Sequence, residues 1–205
     1  MDPREFPTKG NLMLAKNSLA LAHQGYDLMD KKRNILLKEL MELIDEAKNI
    51  QEEIDTTFTR AYACLQRANI EQGISKVQEL AFTVPIEESI RIQTRSIMGT
   101  EIPHIKYDDK QNHLTYAFGT TKESIDAARE AFRQVKHLTI KLAEVENAAY
   151  RLAANIKKTQ KRANALKNIT IPMYSNLVYT INNALEEKER EEFTRLKVIK
   201  RMQGK

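Results

Sequence analysis

Residues 120–202 contain one proline and no glycine, and this long uninterrupted stretch limits the chain's folding options more than any other feature. Within it Leu138, Leu142, Val145, Ala149, Leu152, Ile156, Ala163 and Leu166 recur at alternating spacings of four and three, with Thr159 as the one polar interruption. A heptad stripe held over this length, with charged residues between, predicts a coiled-coil helix. At about 1.5 Å per residue such a helix would run on the order of 120 Å, which a compact globule of this size cannot enclose.

The front of the chain offers a matching stripe. With Leu12 as the first core position, Leu12, Leu19, Tyr26, Arg33, Leu40, Ala47, Ile54, Ala61 and Ala68 occupy one heptad row. The second row reads Ala15, Ala22, Met29, Leu36, Leu43, Ile50, Thr57 and Cys64. Long helices gain most of their stability from burying such a seam on a partner. The expected fold is therefore mainly α, a long antiparallel two-helix coiled coil made by the N- and C-terminal helices. Its structural seam would include Leu19, Leu36, Leu40, Leu43, Leu142, Leu152, Ile156 and Leu166. The predicted organisation is an N-terminal coiled-coil helix over 1–76, a central segment over 77–121, and a C-terminal helix over 122–205.

Several local features refine this picture. Pro3 and Pro7 resist helix at the start, and Thr8 is a candidate N-cap. Gly25 lies beside the seam, where it either lets another backbone approach or is simply tolerated. Arg33 on the seam either fixes register or lays its stem along the seam and carries its charge outward; the second is expected. Gly73 should interrupt the first helix. Ile90 and Ile92 alternate with Arg91 and Gln93, and Ile105 and Tyr107 with His104 and Lys106, as strands do, so a small β-hairpin with its turn in 97–103 is expected. Residues 108–112 read as a polar loop. Thr120 and Glu123 have the spacing of a capping box opening the second long helix. Pro172 should bend that helix without ending it, because Met173, Leu177, Ile181 and Leu185 continue the apolar pattern.

Composition narrows the function. Charged residues are 30% and aromatics 6%, with no Trp, as suits solvent-washed helices over a thin core. The lone Cys64 precludes an internal disulfide framework and is compatible with a reducing compartment. No apolar run reaches the roughly 18 residues of a membrane span, and no signal-peptide core opens the chain, so a soluble intracellular protein with no direct membrane span is expected. No phosphate-cradling glycine loop occurs. His23, His104, His113 and His137 lack metal-ligand spacing and are expected at the surface, and a two-helix seam should offer no ligand-sized pocket. The net charge of +5 is spread among acids without an aromatic platform, which argues against nucleic acid. Catalytic, cofactor-binding and metal sites are all expected to be absent.

Four blocks of residues resemble one family. They are Phe6-Pro7-Thr8-Lys9-Gly10-Asn11-Leu12, the run from Gly25 through Lys31-Lys32-Arg33 to Leu36, and Arg162-Ala163-Asn164-Ala165-Leu166 with Ile171-Pro172 following. The fourth is Ala184-Leu185-Glu186-Glu187-Lys188-Glu189-Arg190-Glu191-Glu192-Phe193 with Arg195-Leu196-Lys197. In this order they resemble the D subunit of the V/A-type rotary ATPases, in its prokaryotic form. The resemblance implies a central-stalk rotor that performs no chemistry and needs no cofactor. It couples ATP hydrolysis or synthesis in a hexamer of A and B subunits to proton or sodium transport by a membrane ring. It also implies an F subunit packed on the shaft, and a C (or d) subunit linking it to the ring, on the cytoplasmic side of the membrane. Phe6, Lys9, Arg195, Lys197, Lys200 and Arg201 would then lie within the hexamer. The hairpin would contact the F subunit, modulate hydrolysis or cap the coil. A static coiled-coil scaffold or tether is the alternative that the heptads alone leave open.

Overall fold

A computed structural model describes residues 6–107 and 115–204. The expectations for Pro3, the 108–112 loop and His113 lie outside the described residues. Helix α1 spans Lys9–Gln72 and α2 Ile74–Phe82, followed by strands β1 (Arg91–Ile97) and β2 (Thr100–Lys106). A 3-10 turn at Phe118–Thr120 leads to α3 (Glu123–Ala165), a π-helical turn at Leu166–Thr170 and α4 (Ile171–Gln203). The fold is long N- and C-terminal helices around a small antiparallel hairpin, the expected class. Contacts divide the chain into two compact units, one of residues 1–34 with 156–205 and one of 35–155.

In the first unit, the start of α1 runs antiparallel to the end of the chain. Lys9 Nζ stands 3.2 Å from Glu189 Oε1, Lys167 Nζ lies over the Tyr26 ring, and Arg33 Nη1 donates to Gln160 Oε1 at 2.9 Å. Partner numbers fall as α1 numbers rise. Ala15, Ala22, Ala163 and Ile181 are buried here, and Leu19, Ile156 and Leu166 are half-buried. Thr8 does cap α1: its Oγ1 accepts from the Asn11 amide at 3.1 Å, satisfying a donor that has no partner within the helix.

Arg33 departs from the expected outward reach. Its guanidinium pairs with Asp30 at 2.7 Å and bonds across the seam to Gln160, whose amide in turn donates to Asn164. A cationic side chain with a partner on the facing helix fixes register, because sliding either helix by one turn would leave it without that partner.

Gly25 is a close-approach position with room to spare. A Cβ placed there would meet Leu166 Cδ1 at 3.7 Å, an ordinary van der Waals contact. Gly25→Ala should therefore stabilise the protein by up to about 1 kcal/mol, through helix propensity and lost freedom in the unfolded chain. Urea unfolding measures it, and a lowered midpoint would show that the seam cannot take the methyl.

The helix continues past Pro172, as expected, and the π turn shows how. Pro172 has no N–H, and its ring would crowd the carbonyl four residues back. The chain widens just before it: the Ile171 amide donates to the Leu166 carbonyl, five residues back. The wide turn accommodates one additional residue. Met173, expected on the seam, is consequently 54% exposed, while Tyr174 is half-buried and Ile181 is only 1% exposed.

In the second unit, Ile50, Ile54 and Val145 form one buried cluster, with Leu43, Ala47, Phe58, Leu138 and Leu142 packed against it. Ala61, Ala131 and Val135 form another, flanked by Phe58 and Phe132. Leu36 and Leu152 are fully buried and Leu40 is half-buried. Helix α1 ends at Gly73, whose φ of 87° suits a residue without Cβ. Lys122 Nζ closes that end by donating to the Glu71 carbonyl at 3.0 Å, a cation at a helix C-terminus.

The capping-box expectation fails. Thr120 belongs to the 3-10 turn, and its hydroxyl, like that of Thr121, donates back to the Ala117 carbonyl while α3 begins at Glu123. The local hydroxyl-to-carbonyl bonds outcompete capping, a known alternative for threonine. The hairpin turn is also tighter than the expected 97–103. It is Met98-Gly99, with φ of 48° and 74°, the two positive values of a type I′ turn.

Candidate functional site

The residues singled out from the sequence fall at two places. In the first unit Phe6, Lys9, Arg195, Lys197, Lys200 and Arg201 are all exposed. Lys9 reaches Glu189, and beyond that pair α4 runs on to Gln203 with every residue exposed. This end carries Phe193, Leu196, Val198, Ile199 and Met202 beside the cations. Lys197 Nζ sits 4.7 Å above the Phe193 ring, whereas Arg195, Lys200 and Arg201 have no ion-pair partner among the described residues. Large apolar and cationic side chains on one bare helix end are the composition of a protein-contact surface.

Sequence reasoning missed a second such surface. Leu14, Leu21 and Leu28 recur every seven residues and are 64–66% exposed, outside the seam. Their spacing was the available signal, a third heptad row two positions after the first. A two-helix seam consumes two apolar rows, so a helix with a third has one more apolar face than its partner covers.

The second unit holds an apolar cleft of about 440 Å³, which corrects the expectation that no ligand-sized pocket would exist. The correction has a physical cause: α2 and the segment after it fold back over α1 and α3, so Val77, Leu80, Val84, Ile125 and Phe132 enclose space a bare helix pair would leave open. On its rim, Lys136 Nζ donates to Glu87 Oε2 at 2.7 Å, and the Ser89 hydroxyl and amide donate to Glu87 Oε1. Nearby, the Tyr116 hydroxyl donates to Asp126 at 2.5 Å, and burial, then this bond, push the tyrosine pKa upward.

The Lys136 bond, then those from Ser89, hold the Glu87 carboxyl down at about 2 against an ordinary 4.5. A carboxyl lowered by folding stabilises the protein above its unfolded pKa and loses that contribution as pH falls toward the folded value. Glu87→Gln should thus cost about 1 kcal/mol at pH 7, limited by solvent around Lys136, and about half of that or less at pH 3, where the folded carboxyl is still largely ionised. Urea titrations of both proteins at the two pH values test this; an equal gap at both would exclude the charge as its source.

His104 Nδ1 pairs with Glu144 at 2.8 Å, His137 lies near the Tyr107 ring, and His23 is exposed. No group of three or more potential metal ligands occurs among the described residues, and no described helix is long and apolar enough to cross a membrane. Heptad-seamed helices with exposed apolar rows and a bare cationic end define a helical protein built to work in contact with other chains.

The comparisons specify which. The family model for the D subunit of ATP synthase matches residues 11–201. The V-type ATP synthase D subunit of Thermotoga neapolitana is 43% identical, over 95% of this chain and 96% of the relative. The A-type ATP synthase D subunits of Pyrococcus abyssi and Pyrococcus horikoshii are each 37% identical, over 95% of this chain and 92% of theirs. The chain belongs to the ATP synthase D-subunit family.

Proposed function

We propose that this chain is the central-stalk rotor of a V/A-type ATPase, coupling nucleotide turnover in a hexamer of A and B subunits to ion transport by a membrane ring. The observation that carries this reading is the end of α4, which outlasts its partner helix by more than a dozen residues and leaves cations and large apolar groups uncovered. A helix end of that composition is costly in water unless other protein surrounds it. Phe6, Lys9, Arg195, Lys197, Lys200 and Arg201 meet the interior of the hexamer, and the F subunit covers the row of Leu14, Leu21 and Leu28. The C (or d) subunit links the chain to the ring on the cytoplasmic side. Leu19, Leu36, Leu40, Leu43, Leu142, Leu152, Ile156 and Leu166 keep the two helices in register as torque passes. The rotor itself contributes no chemistry. It biases which catalytic interface is open, since each interface meets a different side of it and binding free energy differs accordingly.

The test is single-molecule rotation. The chain is assembled with A, B and F subunits of a relative, the hexamer is fixed to glass, and a bead reports on the chain as ATP is added. Stepwise ATP-driven rotation is expected. ATP turnover with a stationary bead would instead make the chain a static scaffold.

A further inference from the structure

The two edges of the hairpin are treated very differently. With Ile97 and Thr100 flanking a two-residue turn, and Arg95 opposite Ile102, the backbone groups of Ile92, Thr94 and Ser96 on β1, and of Glu101, Pro103 and Ile105 on β2, point away from the partner strand. On β2 part of this row is met by α3 or removed by proline. The Ile105 amide donates to Glu144 Oε2 at 3.0 Å, and the Glu101 carbonyl accepts from Arg151 at 3.3 Å. Pro103 has no N–H to satisfy, and Asn155 Nδ2 bonds the Thr100 hydroxyl beside it. On β1 no such cover exists among the described residues: six of its seven residues are exposed, and Ile92 is 70% exposed.

We propose that the open edge of β1 receives an extended acidic segment of another protein chain as a third strand. An uncovered edge is a template for strand addition, in which backbone bonds provide affinity and alternate side chains provide selectivity. Arg91 and Arg95 each lie two residues from Gln93, on one face of the strand. Neither side chain has a hydrogen bond or ion pair among the described residues, and Lys106 stands opposite Arg91. Carboxylates on an incoming strand would complement this face, since opposite charges on neighbouring strands attract and like charges repel. The same cations disfavour a second copy of this chain, whose own β1 would bring arginine against arginine. The inference goes beyond the rotor reading and holds whether or not the chain rotates.

Hydrogen exchange on the full chain tests it. The probe is a nine-residue peptide in which Glu alternates with Val or Thr, and the control carries Lys in place of Glu. The acidic peptide should slow exchange at Ile92, Thr94 and Ser96 by about tenfold or more, as expected for newly bonded amides, and the Lys peptide should not. Thr94→Pro removes an outward donor that the hairpin does not use. It should leave the inward amides of Gln93 and Arg95 protected while abolishing the peptide's effect on Ile92 and Ser96. No slowing with the acidic peptide, or equal slowing with both, would overturn the proposal. So would protection that rises with the concentration of the chain alone, which would make a second copy the occupant.

Discussion

Replacing Arg195, Lys197, Lys200 and Arg201 together by glutamate should lower ATP-driven rotation and turnover of the assembled complex by about tenfold or more. Helix content, read by circular dichroism, should not change. All four side chains are exposed and none supports the seam, so the folded chain loses little by the exchange. On the proposed rotor reading the loss falls where these residues meet the hexamer, since reversed charges would face unchanged partners and like-charge juxtaposition costs several kcal/mol. Lys38→Glu, outside that set, is the internal control. Its pair with Glu42 is solvent-exposed on both sides, and such pairs are worth about 1 kcal/mol or less. Unchanged turnover and rotation in the quadruple variant would remove these four residues from the mechanism.

The largest effect on stability is expected at Leu36 and Leu152, both 0% exposed. Leu→Ala at buried positions costs about 2–5 kcal/mol through lost transfer energy and the cavity left behind. A seam two helices thick lets neighbours settle into the gap, so about 2–3 kcal/mol is expected for each. Leu14→Ala, exposed and off the seam, should change the isolated chain by less than about 0.5 kcal/mol. Chemical denaturation of the three variants measures the ranking. A cost at Leu14 matching that at Leu152 would mean that the outer row is buried in the isolated chain.

The helical part of this fold was legible because a heptad row is a direct record of what is buried. Ile54, Ala61, Ala68, Ala15, Ala22, Leu36 and Ile50 all stand on the two rows read from the sequence, and all are buried. Thr8 and Gly73 were equally readable, since capping and helix-breaking are local chemistry. Arg33 was not, because its register-fixing partner Gln160 lies 127 residues away in sequence. The cleft escaped for a similar reason: it forms only where α2 and the segment around Glu87 fold over the long helices, and no spacing rule announces such a fold-back. Thr120 misled because one hydroxyl can serve either a helix amide or a nearby carbonyl, and the sequence motif does not show which. At the proposed contact surfaces, the cations near the C-terminus were visible as a cluster. The outer row of Leu14, Leu21 and Leu28 was present in the same rhythm but lay in the shadow of the stronger seam.

The wide turn at Leu166–Thr170 has a consequence for direction. Each residue of an α-helix turns the chain by about 100°, so one extra residue absorbed there swings everything downstream by nearly that angle relative to an unbroken helix. Met173 faces water and Ile181 faces inward because of it. The compass bearing of Arg195, Lys197, Lys200 and Arg201 is therefore set some twenty-five residues upstream of them, by a proline and the five residues that make room for it.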